Sequence, residues 1–155
     1  MCIFTSISKV VKISKFMTNQ EILERCNAIT KNTLMETLSI EYTEIGKDYL
    51  IAKMPVTPRV HQPDGVLHGG AMVALAESVG SAAAIVFLDP TKFSIRGIEI
   101  SANHVKSVKS GFVFATAKPI HLGKTTQVWD IKITDENNRL ISAVKLTTLA
   151  LPKQS

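Results

Sequence analysis

The sequence predicts an α+β fold in which one long central helix is wrapped by an antiparallel sheet of five to six strands. The first observation behind this prediction is an apolar segment, 69–88, that carries a single charged side chain, Glu77, and is long enough for about five helical turns. The second is a set of four long runs with partial period-2 alternation, separated by the turn formers KSG, LGK and DENN. We therefore expect the helix to form the core and to be buried on nearly every side.

The segments before the central helix are shorter. Thr18 or Asn19 is a candidate N-cap for a helix that reaches about Lys31, with an apolar stripe that ends at Ile29. Two alternating stretches, 38–45 and 49–56, flank the turn sequence GKD and predict a β-hairpin. A proline-containing loop then leads into the central helix.

Length and composition predict one domain at residues 17–155. The chain has 155 residues, of which 45% are hydrophobic and 20% are charged, as in an ordinary globular protein. We expect residues 1–16 to be an N-terminal extension outside this domain. Lysines interrupt the apolar residues there, so the segment lacks the continuous apolar core of a signal peptide.

Charge and cysteine content narrow the class of partner and the compartment. The net charge of +5 favours anionic partners, but the sequence lacks the arginine clusters and aromatic motif of a nucleic-acid-binding protein. We expect no membrane span, because the apolar segment contains Glu77 and many small residues. Cys2 and Cys26 form neither a disulfide framework nor a metal site, which favours the reducing cytoplasm.

Three segments together resemble one protein family. They are HQPDGVLHGGAMVALAES, GIEISANHVKS and KPIHLGKTTQVWDIKITDENNRLISAVKLTTLAL. Over roughly residues 17–151, the chain is similar to hotdog-fold acyl-CoA thioesterases of the glutamate-dependent 4-hydroxybenzoyl-CoA thioesterase-like (PaaI-like) subgroup, which includes 1,4-dihydroxy-2-naphthoyl-CoA thioesterases. The resemblance implies hydrolysis of an aromatic acyl-CoA, such as a hydroxybenzoyl- or dihydroxynaphthoyl-CoA. It implies no cofactor, because coenzyme A is part of the substrate and the product.

The turn before the helix is the first part of the candidate catalytic site. A helix N-terminus offers unpaired backbone N–H groups and the positive end of the helix dipole, which suit the oxyanion that forms when a thioester is attacked. Gly69 and Gly70 lack side chains, so an acyl group can approach closely, and the Gly69 N–H is our candidate donor. His68 and Gln62 are candidates for orienting the turn or for binding the substrate.

Glu77 is the second part of the candidate catalytic site. It lies eight residues after Gly69, so about 12 Å further along the same helix. A carboxylate at that distance cannot reach a carbonyl held at its own helix N-terminus, and an antiparallel pair of helices from two chains solves the problem. Glu77 would act as a nucleophile or as a general base on water. Ser81 lies one turn further on the same face and is a candidate to hold the water or the carboxylate.

The resemblance implies the same shared site at a dimer interface, and a tetramer built from two dimers. It also places the nucleotide of coenzyme A near the strand ends that carry five basic residues. These residues are His104, Lys106, Lys109, His121 and Lys124. The histidines are too scattered to predict a metal site.

Structural roles compete with each of these assignments. Glu77 would then be a buried, paired carboxylate, His68 a helix cap only, and Ser81 a small packing residue. Gly69, Gly70 and Gln62 would be ordinary turn and loop residues. Other functions also remain open: a hydratase or dehydratase acting on carrier-bound acyl chains, a proofreading thioesterase for acyl-carrier proteins, and a non-catalytic acyl-CoA-binding protein.

Overall fold

The computed structural model describes residues 17–88 and 91–153. The extension expected at residues 1–16 lies outside these ranges. In chain order the elements are α1 (Asn19–Ala28), α2 (Leu34–Thr37), β1 (Glu41–Ile45), β2 (Leu50–Pro55), a 3-10 turn (Pro58–Val60), α3 (Gly69–Phe87), β3 (Phe93–His104), β4 (Phe112–Leu122), β5 (Thr126–Asp135) and β6 (Leu140–Pro152).

The six strands form one antiparallel sheet in the order β1-β2-β4-β5-β6-β3. This confirms the predicted fold class, including the β1–β2 hairpin. The four runs after the central helix, separated by short turn sequences, predict an antiparallel meander. That prediction is wrong for β3, which pairs with β6 rather than with β4. β2 already occupies the free edge of β4, so the open edge for β3 is that of β6. β3 therefore ends up at the edge of the sheet.

Local sequence signals set the ends of α1. Thr18 caps the helix, with its hydroxyl accepting from the Glu21 N–H at 3.2 Å and the Glu21 carboxylate accepting from the Thr18 N–H at 2.6 Å. The helix ends at Ala28, about three residues before the predicted end. Ile22 and Cys26 are buried, but Ile29 lies beyond the helix and is 61% exposed, so the predicted stripe is wrong at that residue.

α3 packs against strands β2 to β6 on the inner face of the sheet. Seven of its residues are buried: Met72, Leu75, Ala76, Val79, Gly80, Ala83 and Ala84. The prediction of burial on nearly every side is wrong, because Glu77 and Ile85 are exposed in the single chain. A single sheet covers only one face of a helix, and the other face of α3 is left open.

Small residues let α3 approach the sheet closely. A Cβ atom on Gly80 would lie 2.5 Å from Leu146 Cδ2 and 2.9 Å from Ile131 Cδ1, both of which belong to the core.

α3 is long and apolar enough to cross a membrane by length and composition, with a mean hydropathy of 1.7. Its buried face packs on the sheet, so it is the core helix of this domain.

Candidate active site

The N-terminus of α3 presents one free backbone donor. His68 is the N-cap, and its Nδ1 accepts a hydrogen bond from the Gly70 N–H at 2.8 Å. The His68 carbonyl accepts from the N–H groups of Ala71 and Met72 at 3.1 and 3.2 Å. Within the described ranges, 17–88 and 91–153, the Gly69 N–H has no acceptor. The helix end thus keeps a donor at the residue that the sequence singled out.

Backbone hydrogen bonds fix the loop that leads to this donor. The His68 N–H donates to Val60 O at 2.9 Å, and the Leu67 N–H donates to Val108 O at 2.8 Å. Gln62 begins a turn in which its N–H donates to Val66 O at 2.9 Å. Its side chain is half-buried and makes no hydrogen bond to the described residues, so its amide is available to a ligand.

The imidazole of His104 lies directly beside Gly69. A Cβ atom on Gly69 would be 2.9 Å from His104 Nε2, so the missing side chain makes room for this ring. His104 Nδ1 lies 2.9 Å from the hydroxyl of Ser142, which is fully buried. The resemblance implied a role for His104 in binding the nucleotide, and in the structure its ring lies at the N-terminus of α3. Ser142 was missed altogether, since no sequence signal distinguishes it from a packing residue.

Glu77 lies over the edge strand β3. A Cβ atom on Gly97 would be only 2.7 Å from Glu77 Oε1, so Gly97 leaves the space that the carboxylate occupies. A pocket of about 230 Å³ opens here, lined by Glu77, Gly97, Ile98, Glu99, Ile100 and Leu146. Sequence reasoning missed Gly97, although an isolated glycine in a strand is a recognised signal of a bulge or a close contact. The β3–β6 register indeed shifts between Gly97 and Glu99.

The two parts of the candidate site do not meet within one chain. α3 runs antiparallel to β3, with Gly69 beside His104 at one end of both elements and Glu77 beside Gly97 near the middle of both. Eight residues of helix separate Gly69 from Glu77, which corresponds to about 12 Å. One chain therefore offers an N–H donor without a carboxylate and a carboxylate without a donor.

The two serines near Glu77 differ in their surroundings. Ser78 Oγ donates to Ala74 O at 2.7 Å, and the Ser78 carbonyl accepts from the Tyr42 hydroxyl at 3.2 Å. Burial, and secondarily Cys26, raises the pKa of Tyr42, so this hydroxyl keeps its proton. Ser81 is half-buried, on the face of Glu77, and no hydrogen bond joins the two in the described chain.

The basic residues predicted to bind coenzyme A fall at two opposite ends of the sheet. Lys106 and Lys109 lie in the exposed loop after β3, in which Val108 O accepts from the Leu67 N–H, two residues before Gly69. His121 and Lys124 lie on either side of the β4–β5 turn. β5 begins at Thr126, which pairs with Leu149 near the end of β6, so this turn lies at that end of the sheet. His104 instead pairs with Ser142 at the start of β6. One chain does not bring the two groups together.

The described residues contain no cluster of three or more His, Cys, Asp or Glu side chains that could hold a metal ion. What the site offers is a backbone donor, two imidazoles and a carboxylate. These groups suit the polarisation of a carbonyl and the activation of a nucleophile.

Comparison with known proteins agrees with this chemistry. The family model of the thioesterase superfamily matches residues 64–142. The 1,4-dihydroxy-2-naphthoyl-CoA hydrolase of Escherichia coli (strain K12) is 46% identical over 129 residues, which cover 83% of this chain and 94% of the relative. The proofreading thioesterase of Cronobacter turicensis is 45% identical over 129 residues, which cover 83% and 93%.

Among solved structures, a mutant thioesterase from Pseudomonas aeruginosa superposes with a TM-score of 0.83 at 41% identity. The match covers 84% of this chain and 94% of that one. The matched family segment includes His68, all of α3 and strands β3 to β5, and it begins two residues after Gln62. The chain therefore belongs to the thioesterase superfamily and is a thioester hydrolase with the hotdog fold.

Proposed function

We propose that the chain hydrolyses an aromatic acyl-CoA, such as a hydroxybenzoyl- or dihydroxynaphthoyl-CoA, to the free acid and coenzyme A. The observation that carries this proposal is the free Gly69 N–H at the start of α3, with Glu77 eight residues further along the same helix. The identity to a 1,4-dihydroxy-2-naphthoyl-CoA hydrolase supports the aromatic acyl group. The apolar side chains of Ile98, Ile100 and Leu146 around the Glu77 pocket suit an apolar acyl group.

In the proposed reaction the Gly69 N–H polarises the thioester carbonyl. Glu77 then acts in one of two ways. As a general base it takes a proton from water, whose oxygen adds to the carbonyl carbon before the C–S bond breaks. As a nucleophile it adds directly and forms a mixed anhydride, which water then hydrolyses. In the general-base route Glu77 passes the proton that it took from water to the departing sulfur, so coenzyme A leaves as the thiol and the carboxylate is restored. In the nucleophilic route the sulfur leaves as a thiolate and takes up a proton from solvent. No metal or resident cofactor takes part in either route.

The site is proposed to form between two copies of the chain. Gly69 and Glu77 are too far apart to act on one carbonyl, so Glu77 must come from a second subunit. The edge strand β3 supports this arrangement, because its outer backbone groups are available for pairing and Ile98 beside Glu77 is 56% exposed. A two-fold axis near the middle of β3 would bring each Glu77 toward the partner's helix N-terminus. A tetramer of two such dimers stays a prediction.

Gln62, His68 and Ser81 have supporting roles in this proposal. The amide of Gln62 and the outer nitrogen of His68 face the substrate near the turn, and Ser81 holds water beside Glu77. Lys106 and Lys109 meet the phosphates of coenzyme A from the chain that supplies Gly69. His121 and Lys124 reach the same substrate only from the partner subunit. Because Cys26 is a free thiol, we place the reaction in the cytoplasm.

The test is thiol release from a panel of aromatic and aliphatic acyl-CoA thioesters. The wild type is compared with Glu77→Ala and with Glu24→Ala, a matched change of an exposed glutamate on α1. We expect wild type and Glu24→Ala to hydrolyse aromatic members fastest, and Glu77→Ala to lose at least about 100-fold in kcat. Near-normal turnover by Glu77→Ala would show that Glu77 is not catalytic. Release from acyl-carrier thioesters alone would favour the proofreading alternative.

Mixed dimers test the shared site. A Glu77→Ala chain combined with a Gly69→Val chain restores one complete site in each heterodimer, so random mixing should return about a quarter of wild-type activity. Each variant alone should stay inactive. Confirmed heterodimers without activity would show that the two residues do not act across the interface.

A further inference from the structure

We propose that Gln127 is a positioning residue for coenzyme A. Its buried amide holds the β4–β5 turn, residues 123–125, in the shape in which His121 and Lys124 meet the nucleotide. Gln127 itself touches no substrate atom. This inference rests on the proposed hydrolysis of an acyl-CoA and adds to that site a residue of the core.

Three hydrogen bonds lead from the core to the turn. Trp129 Nε1 donates to Thr148 Oγ1 at 3.2 Å, and Thr148 Oγ1 donates to Gln127 Oε1 at 2.8 Å. Gln127 Nε2 then donates to the Gly123 carbonyl oxygen at 2.9 Å. An indole N–H can only donate and a carbonyl can only accept, so each bond has one direction. The amide of Gln127 therefore has one orientation, with its NH2 group toward the turn.

The burial of Gln127 indicates that its amide serves a purpose. Gln127, Trp129 and Thr148 are all fully buried on the inner face of the sheet. Burying an amide costs free energy unless its donor and acceptor are paired, and an apolar side chain would fill the same position without that requirement. What the amide adds is a bond to the backbone of the turn.

The turn is tied down at two further points. The Gly123 N–H donates to Thr126 O at 3.0 Å, and Thr125 O accepts from the Ala150 N–H of β6 at 2.7 Å. A Cβ atom on Gly123 would lie 2.6 Å from Thr126 O and 2.6 Å from His121 Nε2. Glycine is therefore required for the backbone to close this tightly, and the His121 ring packs against the turn.

The outer side of the turn offers groups that bind an anion. Lys124 and Thr125 are exposed, and among the described residues their backbone N–H groups have no acceptor. The segment 121–126, HLGKTT, also carries the Lys124 ammonium and the His121 imidazole and contains no acidic residue. Backbone N–H groups beside a cation suit the phosphates of coenzyme A.

The position of the turn fits the proposed dimer. Thr126 pairs with Leu149, and Leu149 pairs with Arg96 near the start of β3. When two β3 strands pair antiparallel, the start of one lies opposite the end of the other, where His104 contacts Gly69. β5 is two strands away from β3, which is about 10 Å at the usual strand spacing. The turn is thus set back from the partner's thioester, where the nucleotide end of coenzyme A can extend.

The decisive experiment compares the CoA thioester with the N-acetylcysteamine thioester of the same acid, which lacks the nucleotide. Gln127→Met keeps the side-chain length and removes both hydrogen bonds of the amide. For the CoA thioester it should raise KM about 10-fold, which corresponds to one charge-assisted hydrogen bond, and leave kcat within about 2-fold. On the N-acetylcysteamine thioester both constants should stay within about 2-fold of wild type. Equal losses on the two substrates, or no loss on either, would overturn the proposal.

Two further variants separate positioning from general damage. Gly123→Ala distorts the turn from outside the core, so it should reproduce the difference between the two substrates even if Gln127→Met folds poorly. Ile133→Val, a core change in β5 away from the turn, should leave the ratio of the two kcat/KM values unchanged. A similar change of that ratio in Ile133→Val would assign the effect to core packing and overturn the proposal.

A double-variant cycle tests whether Gln127 acts through the turn. Lys124→Ala should raise KM for the CoA thioester, and adding Gln127→Met should raise it little further, because a misplaced turn has already lost that contact. Fully additive effects would overturn the proposal. Wild-type protein that hydrolyses neither thioester would overturn the proposed function as well, whereas an active wild type with equal losses in Gln127→Met would overturn only the role of Gln127.

Discussion

Gly97→Ala should separate catalysis from stability in this enzyme. A Cβ atom at residue 97 would lie 2.7 Å from Glu77 Oε1, roughly 0.6 Å closer than carbon and oxygen ordinarily approach. Because the carboxylate is the end of a flexible side chain, it can move away without disturbing the core. That movement displaces it from the position it would use in the reaction. A misplacement of about 1 Å costs about 100-fold in rate, so we expect kcat to fall about 10-fold or more.

The same substitution should not weaken the fold. Gly97 is exposed on an edge strand, and its φ lies outside the left-handed region that favours glycine. Its other neighbour, Leu146 Cδ1, would be at an ordinary 3.7 Å. Alanine in a strand is favoured over glycine by roughly 0.5–1 kcal/mol, so the free energy of unfolding should stay the same or rise by that amount.

The assay combines steady-state hydrolysis with urea unfolding, and Gly80→Ala is the matched control. At Gly80 the added Cβ meets core side chains at 2.5 and 2.9 Å, so overpacking should cost about 1–3 kcal/mol, offset by about 1 kcal/mol of helix propensity. The folded control meets Leu146 and Ile131 but not the Glu77 carboxylate, so its kcat should fall less than that of Gly97→Ala. Full kcat in Gly97→Ala would refute the argument that Glu77 must lie over this glycine, and a parallel loss of stability would assign the effect to general damage.

Three further outcomes are expected. Thr148→Val removes the partner of Trp129 Nε1 and Gln127 Oε1 in a buried network, so the free energy of unfolding in urea should fall by about 1–3 kcal/mol; an unchanged value would contradict the importance of these bonds. Ile98→Arg should convert dimers to inactive monomers in light scattering, and a dimeric variant would argue against association through β3. The side-chain hydrogen bond from Arg139 lowers the pKa of Asp135 in the folded protein below its ordinary value of 3.8. The ionised Asp135 therefore stabilises the fold above pH 3.8, and this contribution is lost as the pH falls through the lower pKa of the folded state. Arg139→Ala should therefore lower Tm at neutral pH. Its Tm should then fall less than that of the wild type when the pH is lowered, which thermal melts at a series of pH values would check.

Much of the fold was accessible from local signals. The N-cap of α1, the GKD hairpin and the 69–88 helix each depend on residues within a few positions of one another. The structure selects Thr18 from the two N-cap candidates and places the hairpin and the helix close to the predicted bounds. Strand order was not accessible in this way. Whether β3 pairs with β4 or with β6 depends on which edges remain open after the whole sheet assembles.

In the candidate site, too, features within one short segment were accessible from the sequence, and contacts between distant residues were not. Glycine and histidine before an apolar helix, and a glutamate eight residues later, are properties of one short segment, so the sequence alone determined the helix N-terminus and the spacing of Gly69 and Glu77. From that spacing it predicted that a second chain completes the site. Only the tertiary structure decided that Gly69 makes room for His104, that Ser142 lies behind that ring, and that Gly97 leaves space for the carboxylate. The reason is physical: these contacts join residues that are 20 or more positions apart in the chain, and their distances are fixed only when the edge strand packs along the central helix.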